Sequence, residues 1–263
     1  MTSNKDKITN FYSGGGEDNR ASSSLSTELE FRYTKKFLSK YINDTSRVIE
    51  IGCATGYYGM FFADKCAEYV GVDITPENID IFNKKIADNG LTNVTAAVGD
   101  AMNLSEYEDC SFDVVLCLGP MYHLPQEERT KVFDECRRIA CDGAVLAFAY
   151  INRLGVYLAC CVHDEFRTTL PDKNANEYVF KHDTDPSKPG VFYFTSPEEM
   201  EHDAKLAKLD VLKNYGLDYF IASCAIEAMT EEQFECYLEI ADRMCENPSC
   251  VGLSNHALLV CKK

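Results

Sequence analysis

The sequence predicts a doubly wound α/β fold with a mostly parallel sheet. Short apolar runs alternate with helical stretches from about residue 25 onward, and the runs are almost continuously hydrophobic, as strands covered on both faces must be. Apolar residues make up 46% of the chain and charged residues 26%, which suits a globular protein and excludes a disordered, collagen-like or coiled-coil one. A length of 263 residues implies one to two domains and a core large enough to need no staples.

Residues 1–24 are polar, contain Gly14-Gly15-Gly16 and end in Ser22-Ser23-Ser24, so they are expected to form a flexible lead-in. From Leu25 to Tyr41 apolar side chains recur every four residues (Leu25, Leu29, Tyr33, Phe37, Tyr41), the spacing of an amphipathic helix. Val48 to Ile51 reads as a strand, Tyr57 to Asp64 as a helix, and Tyr69 to Asp73 as a second strand. Thr75 is expected to cap a helix opened by Pro76 and closed by Gly90. Strands follow at Val94–Val98 and Phe112–Leu118, then a helix from Pro125 to Ala140 and a fifth strand at Ala144–Tyr150.

The rhythm breaks over 152–195, where Pro171, Pro186 and Pro189 mix with charges and scattered aromatics. A structureless loop of that length is uncommon in a compact domain, so an inserted cap is expected there. The main domain is then 25–151 with 196–263. Ser196-Pro197-Glu198-Glu199 and Thr230-Glu231-Glu232-Gln233 both have capping-box spacing and start helices. Val211–Phe220 reads as a strand, and so does the apolar run from His256 to Cys261.

The formal charge of −16 opposes phosphate backbones and anionic membranes, so neither nucleic acid nor membrane is expected as partner. No apolar run is long enough to cross a bilayer, and Met1 to Lys7 does not lead into a signal-peptide core. The 13 cysteines are odd in number and never stand in C-x-x-C spacing, and many lie inside apolar runs. Buried reduced thiols in a cytoplasmic protein are expected, not disulfides or zinc. The histidines and acids of His163-Asp164-Glu165 and His182-Asp183 read as solvated charges, so no metal site is expected.

The chemistry concentrates between Val48 and Gly59, where a strand enters the glycine-bearing turn Gly52-Cys53-Ala54-Thr55-Gly56 and then a helix. Such a turn lets backbone approach a ligand, and the helix start offers free N–H groups. Asp73, at the end of the next strand, is placed to accept both hydroxyls of a ribose. Two ligand classes fit. The dinucleotide fingerprint G-x-G-x-x-G falls on Ala54, Gly56 and Gly59 with one glycine missing, which leaves an NAD-dependent oxidoreductase as an alternative. An acid followed by G-x-x-x-G fits Glu50, Gly52 and Gly56 at every defined position.

With the second template the chain resembles the class I S-adenosylmethionine-dependent methyltransferases, from about residue 25 to the C-terminus. The resemblance rests further on Gly71-Val72-Asp73, on Gly99-Asp100-Ala101, on Phe112-Asp113-Val114-Val115 with Leu118-Gly119-Pro120-Met121-Tyr122-His123-Leu124, and on the ending Asn255-His256-Ala257-Leu258-Leu259-Val260. It implies a Rossmann-like, mostly parallel seven-stranded sheet whose last strand is antiparallel, with an N-terminal helix and the inserted cap. It also implies S-adenosyl-L-methionine as cofactor, with S-adenosyl-L-homocysteine as product. The implied cofactor residues are Glu50, Gly52, Cys53, Ala54, Gly56, Tyr57, Asp73, Ile74, Asp100, Ala101 and Leu118, with Tyr12 closing over them. Asp73 would hold the ribose, while Asp100 and Ala101 would meet the adenine. Many relatives carry Ser two residues after the ribose acid, where this chain has Thr75.

Glu50 lies in an apolar strand, where an acid needs a partner: a structural one, or the glycine loop and the cofactor's ammonium. His123 and Tyr122 lie beside the expected site. His123 reads equally as a general base or as a satisfied structural histidine, and Tyr122, the second candidate catalytic residue, as closing over cofactor or substrate or as packing. Asp113 reads as structural. The acceptor is expected to be a small molecule, although a non-catalytic S-adenosylmethionine-binding module shares the fold.

Overall fold

The computed structural model describes residues 4–14, 16–162, 191–218 and 223–263. Seven strands form one sheet in the order β3-β2-β1-β4-β5-β7-β6. They are β1 (Arg47–Ile51), β2 (Glu68–Asp73), β3 (Val94–Val98), β4 (Phe112–Cys117), β5 (Ala140–Ile151), β6 (Asp210–Gly216) and β7 (His256–Lys262). β1 to β5 pair in parallel, and β7 runs antiparallel to both β5 and β6. The seven-stranded, mostly parallel sheet with a reversed last strand therefore stands as expected.

The helices expected from caps and periodicities are present, together with others that the sequence reading did not place. α1 is Asn4–Tyr12, followed by a 3₁₀ turn at Gly16–Ser22; α2 is Leu25–Leu38, α3 Tyr57–Phe62, α4 Pro76–Asp88, α5 Gln126–Ile139 and α6 Arg153–Val162. α7 (Pro197–Leu206), α8 (Ser223–Glu227), α9 (Glu231–Cys245) and α10 (Pro248–Val251) complete the described set. Ser196 and Thr230 each close a full capping box, satisfying N–H groups that a helix start leaves without a partner. On one sheet face Phe37 of α2 stacks on Tyr215 of β6, with ring centroids 3.9 Å apart. On the other, Phe133 of α5 packs on Phe148 of β5 at 4.4 Å. Burial of both faces explains why β1 and β4 read as nearly continuous apolar runs.

Several details differ from the sequence reading. The segment read as a flexible lead-in carries α1 and the 3₁₀ turn, because Ile8 is buried and the polar residues around it find partners elsewhere in the fold. Thr75 stands at the N-cap of α4, but its side chain makes no capping bond. Asp73 Oδ1 accepts from the Thr75 N–H instead, at 2.9 Å. The strand read as Val211–Phe220 ends at Gly216. Of the segment expected to form an inserted cap, the described parts are α6 and the return at 191–195, where Thr195 pairs with Asn152. The remainder, including His163-Asp164-Glu165 and His182-Asp183, lies outside the described residues.

The described cysteines are all free, and Cys53, Cys66, Cys117, Cys136, Cys245 and Cys261 are buried. Asp113 is structural: it receives both Nε and Nη2 of Arg47, at 3.1 and 3.0 Å. Among the described residues no helix is long and apolar enough to cross a membrane.

Candidate active site

The strand order reverses direction between β1 and β4, and in open α/β sheets a crevice for ligands forms at such a point. Here the loop after β1 and the loop after β4 touch. A Cβ on Gly52 would lie 2.7 Å from Pro120 Cδ and 3.0 Å from the Gly119 backbone, and Gly52 has φ +81°, so only glycine suits the position. The glycine at 56 has a different cause. Its φ is +82°, and an added Cβ would fall 2.1 Å from the Phe82 ring of α4. Gly59 and Gly71 leave room for the same ring. Gly56 thus lets α4 close on the sheet, and it stays off the cavity wall.

A cavity of about 290 Å³ opens above these loops. Its wall includes every other residue implied by the resemblance: Glu50, Gly52, Cys53, Ala54, Tyr57, Asp73, Ile74, Asp100, Ala101, Leu118, Tyr12, Tyr122 and His123. Residues far apart in sequence are therefore gathered by the topology alone.

Asp73 ties two loops together. Its Oδ2 accepts from the Ala54 N–H and its Oδ1 from the Thr75 N–H, each at 2.9 Å. Ala54 has φ +44°, a costly conformation for a residue with a Cβ, and the Asp73 bond holds it there. Burial raises the Asp73 pKa, and the two backbone donors oppose that rise. Glu50 is 1% exposed and accepts from the Tyr69 hydroxyl at 2.6 Å. Burial pushes its pKa to about 8, with the nearby Asp73 adding to the rise and the Tyr69 bond opposing it. At the far end Asp100 accepts from the Met102 N–H at 3.0 Å and pairs with Lys5 at 3.4 Å. Asn78, 1% exposed on the same wall, has no partner for Oδ1 among the described residues. The wall is thus rich in acceptors and negative charge, and suits a ligand bringing donors and a cation.

α1 forms a roof. The Asn4 side chain donates to the His123 carbonyl at 3.0 Å, and the Tyr12 hydroxyl lies 2.9 Å from His123 Nε2. His123 Nδ1 lies 2.6 Å from the Val191 carbonyl and must donate to it, so Nε2 is the acceptor for Tyr12. Burial pushes the His123 pKa down to about 4, against the Val191 bond, so the ring is neutral at pH 7. Both of its nitrogens are engaged.

Sequence reasoning did not single out Glu17, Arg20, Glu30 or Asn78 as site residues, yet all four line the cavity. Arg20 pairs with Glu30 at 2.5 Å, and its guanidinium carbon sits 5.3 Å above the Phe31 ring. Nothing in a polar N-terminal segment signals that it folds over a crevice formed by strands far along the chain.

Fold and cavity together define an α/β protein with an acidic, nucleoside-sized crevice at its sheet switch point. Residues 48–143 match the model of a methyltransferase domain. A ubiquinone biosynthesis O-methyltransferase of Paracidovorax citrulli is 24% identical over 174 residues, covering 66% of this chain and 67% of the relative. One from Paraburkholderia phymatum is 26% identical, covering 66% and 68%. Among solved structures, geranyl diphosphate C-methyltransferase from Streptomyces coelicolor, solved with S-adenosyl-L-homocysteine, aligns with a TM-score of 0.62 at 12% identity, covering 100% of this chain and 98% of that one. An S-adenosylmethionine-dependent methyltransferase from Mesorhizobium loti aligns with a TM-score of 0.58 at 12% identity, covering 91% and 100%. These structural likenesses speak to the fold. Residues 48–143 thus carry a methyltransferase domain, which agrees with the resemblance to the class I S-adenosylmethionine-dependent methyltransferases and with S-adenosyl-L-methionine as cofactor.

Proposed function

We propose that this enzyme methylates a hydroxyl group of a small molecule in a reducing cytoplasm, with the cavity over the β1 loop as its cofactor site. The observation that carries the reading is the convergence of Glu50, Asp73 and Asp100 on one crevice roofed by α1. Asp73 is the ribose partner in this reading, Glu50 faces the cationic end, and Asp100 with Ala101 borders the adenine. The bound cofactor supplies a methyl group already activated on a sulfonium.

The chain's own contribution is placement. Holding the acceptor in line with the methyl–sulfur bond can supply roughly 7–11 kcal/mol of barrier lowering. A roof that excludes water would favour transfer of that methyl. Tyr12 forms that roof, and His123, bonded at both nitrogens, holds Tyr12 in place. That the ubiquinone biosynthesis relatives are O-methyltransferases supports oxygen as the accepting atom. The free described cysteines support the reducing compartment, and the charge of −16 weighs against a nucleic-acid acceptor.

Thermal unfolding with S-adenosylmethionine, S-adenosylhomocysteine or NAD tests the cofactor. A ligand at 100 times its Kd adds about 2.7 kcal/mol, a rise of several degrees. Stabilisation by the first two and none by NAD is expected. The reverse would make this an oxidoreductase. Binding without production of S-adenosylhomocysteine across hydroxyl-bearing acceptors would leave a binding module.

A further inference from the structure

A second chamber, of about 380 Å³, adjoins the first and shares Tyr12, Glu17, Arg20 and Tyr122 with it. Its remaining wall is largely aromatic: Phe11 meets Phe192 edge to face at 5.6 Å, and Tyr122 stacks with Phe192 at 6.3 Å. One ionisable group here is not absorbed by the cofactor site. His256, the first residue of β7, lines this chamber. Its Nδ1 lies 2.6 Å from Asp218 Oδ2, and Asp218 Oδ1 accepts the His256 N–H at 2.7 Å. Asp218 is itself fixed, with Oδ1 accepting from the Ser254 hydroxyl at 3.1 Å. With Nδ1 donating to Asp218, the lone pair of the neutral ring resides on Nε2, and Nε2 has no hydrogen-bond partner among the described residues. Asn255 lies on the same wall with Oδ1 unpartnered among the described residues.

We propose that the second chamber seats a neutral, phenol-type acceptor and that His256, oriented by Asp218, is the base that takes its proton. This rests on the methyl-transfer reading and assigns the acceptor side of it. The ring-lined wall suits a planar acceptor. Glu17 and Arg20 line it, and Glu30 and Asp218 stand beside His256, so acids outnumber the one arginine nearby, which disfavours acceptors bearing carboxylate or phosphate. A phenol ionises near pH 10, far closer to an imidazole than an aliphatic alcohol does. In the step, the acceptor O–H bond breaks and its proton passes to Nε2 of His256. The freed oxygen pair forms the new O–CH₃ bond, and the pair of the broken S–CH₃ bond stays on sulfur. Asp218 stabilises the imidazolium, as an orienting carboxylate does.

The groups facing His256 are Asp218 after β6, Glu30 of α2 at 3.6 Å, and Arg20 of the 3₁₀ turn through Glu30. Burial opposes protonation of His256, but Glu30 and Asp218 outweigh it and raise the pKa. The same three groups, Glu30, Asp218 and His256, could also gather a metal ion.

The test measures transfer of labelled methyl from S-adenosylmethionine to catechol by the full chain. His256→Gln is expected to lower kcat at least 100-fold while leaving the S-adenosylhomocysteine Kd within twofold, since a positioned base contributes 10²–10⁴-fold. Its residual rate should climb with pH as catechol ionises. Asp218→Asn, a positioning change, should cost about tenfold and move the acid limb of the pH–rate profile downward. A wild-type rate in His256→Gln, transfer to amines but not phenols, or loss of activity with EDTA restored by a divalent cation would each overturn the proposal. A second readout does not need turnover: catechol added to the S-adenosylhomocysteine complex should shift the His256 imidazole NMR signals, and no shift overturns the chamber assignment. Failure of S-adenosylhomocysteine itself to bind would instead sink the cofactor reading.

Discussion

The Tyr69 hydroxyl donates to Glu50 Oε2 at 2.6 Å from the neighbouring strand, behind the glycine loop. This places a carboxyl with a pKa of about 8 on the wall of the cavity proposed to hold the cofactor's cationic end. In the free protein Glu50 therefore stays largely protonated at pH 7, and a bound cation favours the ionised form. Binding should release a proton below pH 8, and affinity should weaken as pH falls from 9 to 6, by at most tenfold per unit. Calorimetry in buffers of different ionisation enthalpy would detect the proton, and a pH-independent Kd would count against the arrangement. For the free protein the sign is opposite. A folded pKa raised above the unfolded value near 4.3 gives stability that is full below that value and declines as pH rises through 8.

Tyr69→Phe removes the one side-chain donor that favours the ionised carboxylate. A stability loss of about 1–3 kcal/mol is expected, because a buried acceptor is left without its partner. The pH at which cofactor affinity falls off should move upward. Urea melts and calorimetry would check both, and unchanged behaviour in the two would remove Tyr69 from the site.

Asp73→Asn keeps the shape but can accept only one of the two backbone N–H bonds, sets an NH2 against the other donor, and removes a charge. A cofactor Kd at least tenfold weaker is the expected outcome, by calorimetry, with a smaller loss of thermal stability. An unaltered Kd would place the ribose elsewhere.

Gly56→Ala combines a left-handed backbone with a clash against Phe82. Left-handed φ costs roughly 1–2 kcal/mol and overpacking typically 1–3 kcal/mol, so a loss of about 2–5 kcal/mol is expected in chemical denaturation. If Phe82→Ala is added, part of the steric loss should be recovered as a non-additive coupling. Strict additivity would contradict the packing role.

Arg129 and Asp203, both nearly buried, pair at 3.3 Å between α5 and α7, and Arg129 also donates to the Leu124 carbonyl beside the His123 turn. Asp203→Ala leaves a buried guanidinium without its anion, for which about 3–5 kcal/mol is the usual cost. A drop in Tm with normal cofactor affinity in the surviving protein is expected; an unchanged Tm would show the pair to be dispensable.

Much of the architecture was readable because it is local. Periodicity marked the strands from Val48 to Tyr150, and capping boxes at Ser196 and Thr230 marked helix starts to the residue. The acid–glycine spacing at Glu50, Gly52 and Gly56 led to the loop that floors the cavity, although Gly56 itself makes room for Phe82. The N-terminal segment was not readable, since its contacts are with residues more than a hundred positions away, such as His123 for Asn4 and Tyr12. The His256–Asp218 pair was equally hidden, because sequence shows a strand beginning and not what stands beside it.

By itself, the order of apolar runs, caps and glycines determined a doubly wound sheet with an acid-lined turn, because helices, strands and tight turns are dictated by interactions within a few residues. Tertiary structure alone decided which nitrogens carry protons and which carboxyls hold them. His123 is closed off by Val191 and Tyr12, Glu50 is buried beside Asp73, and His256 is presented on Asp218. Protonation depends on desolvation and on charges brought together through space, and no linear pattern records either.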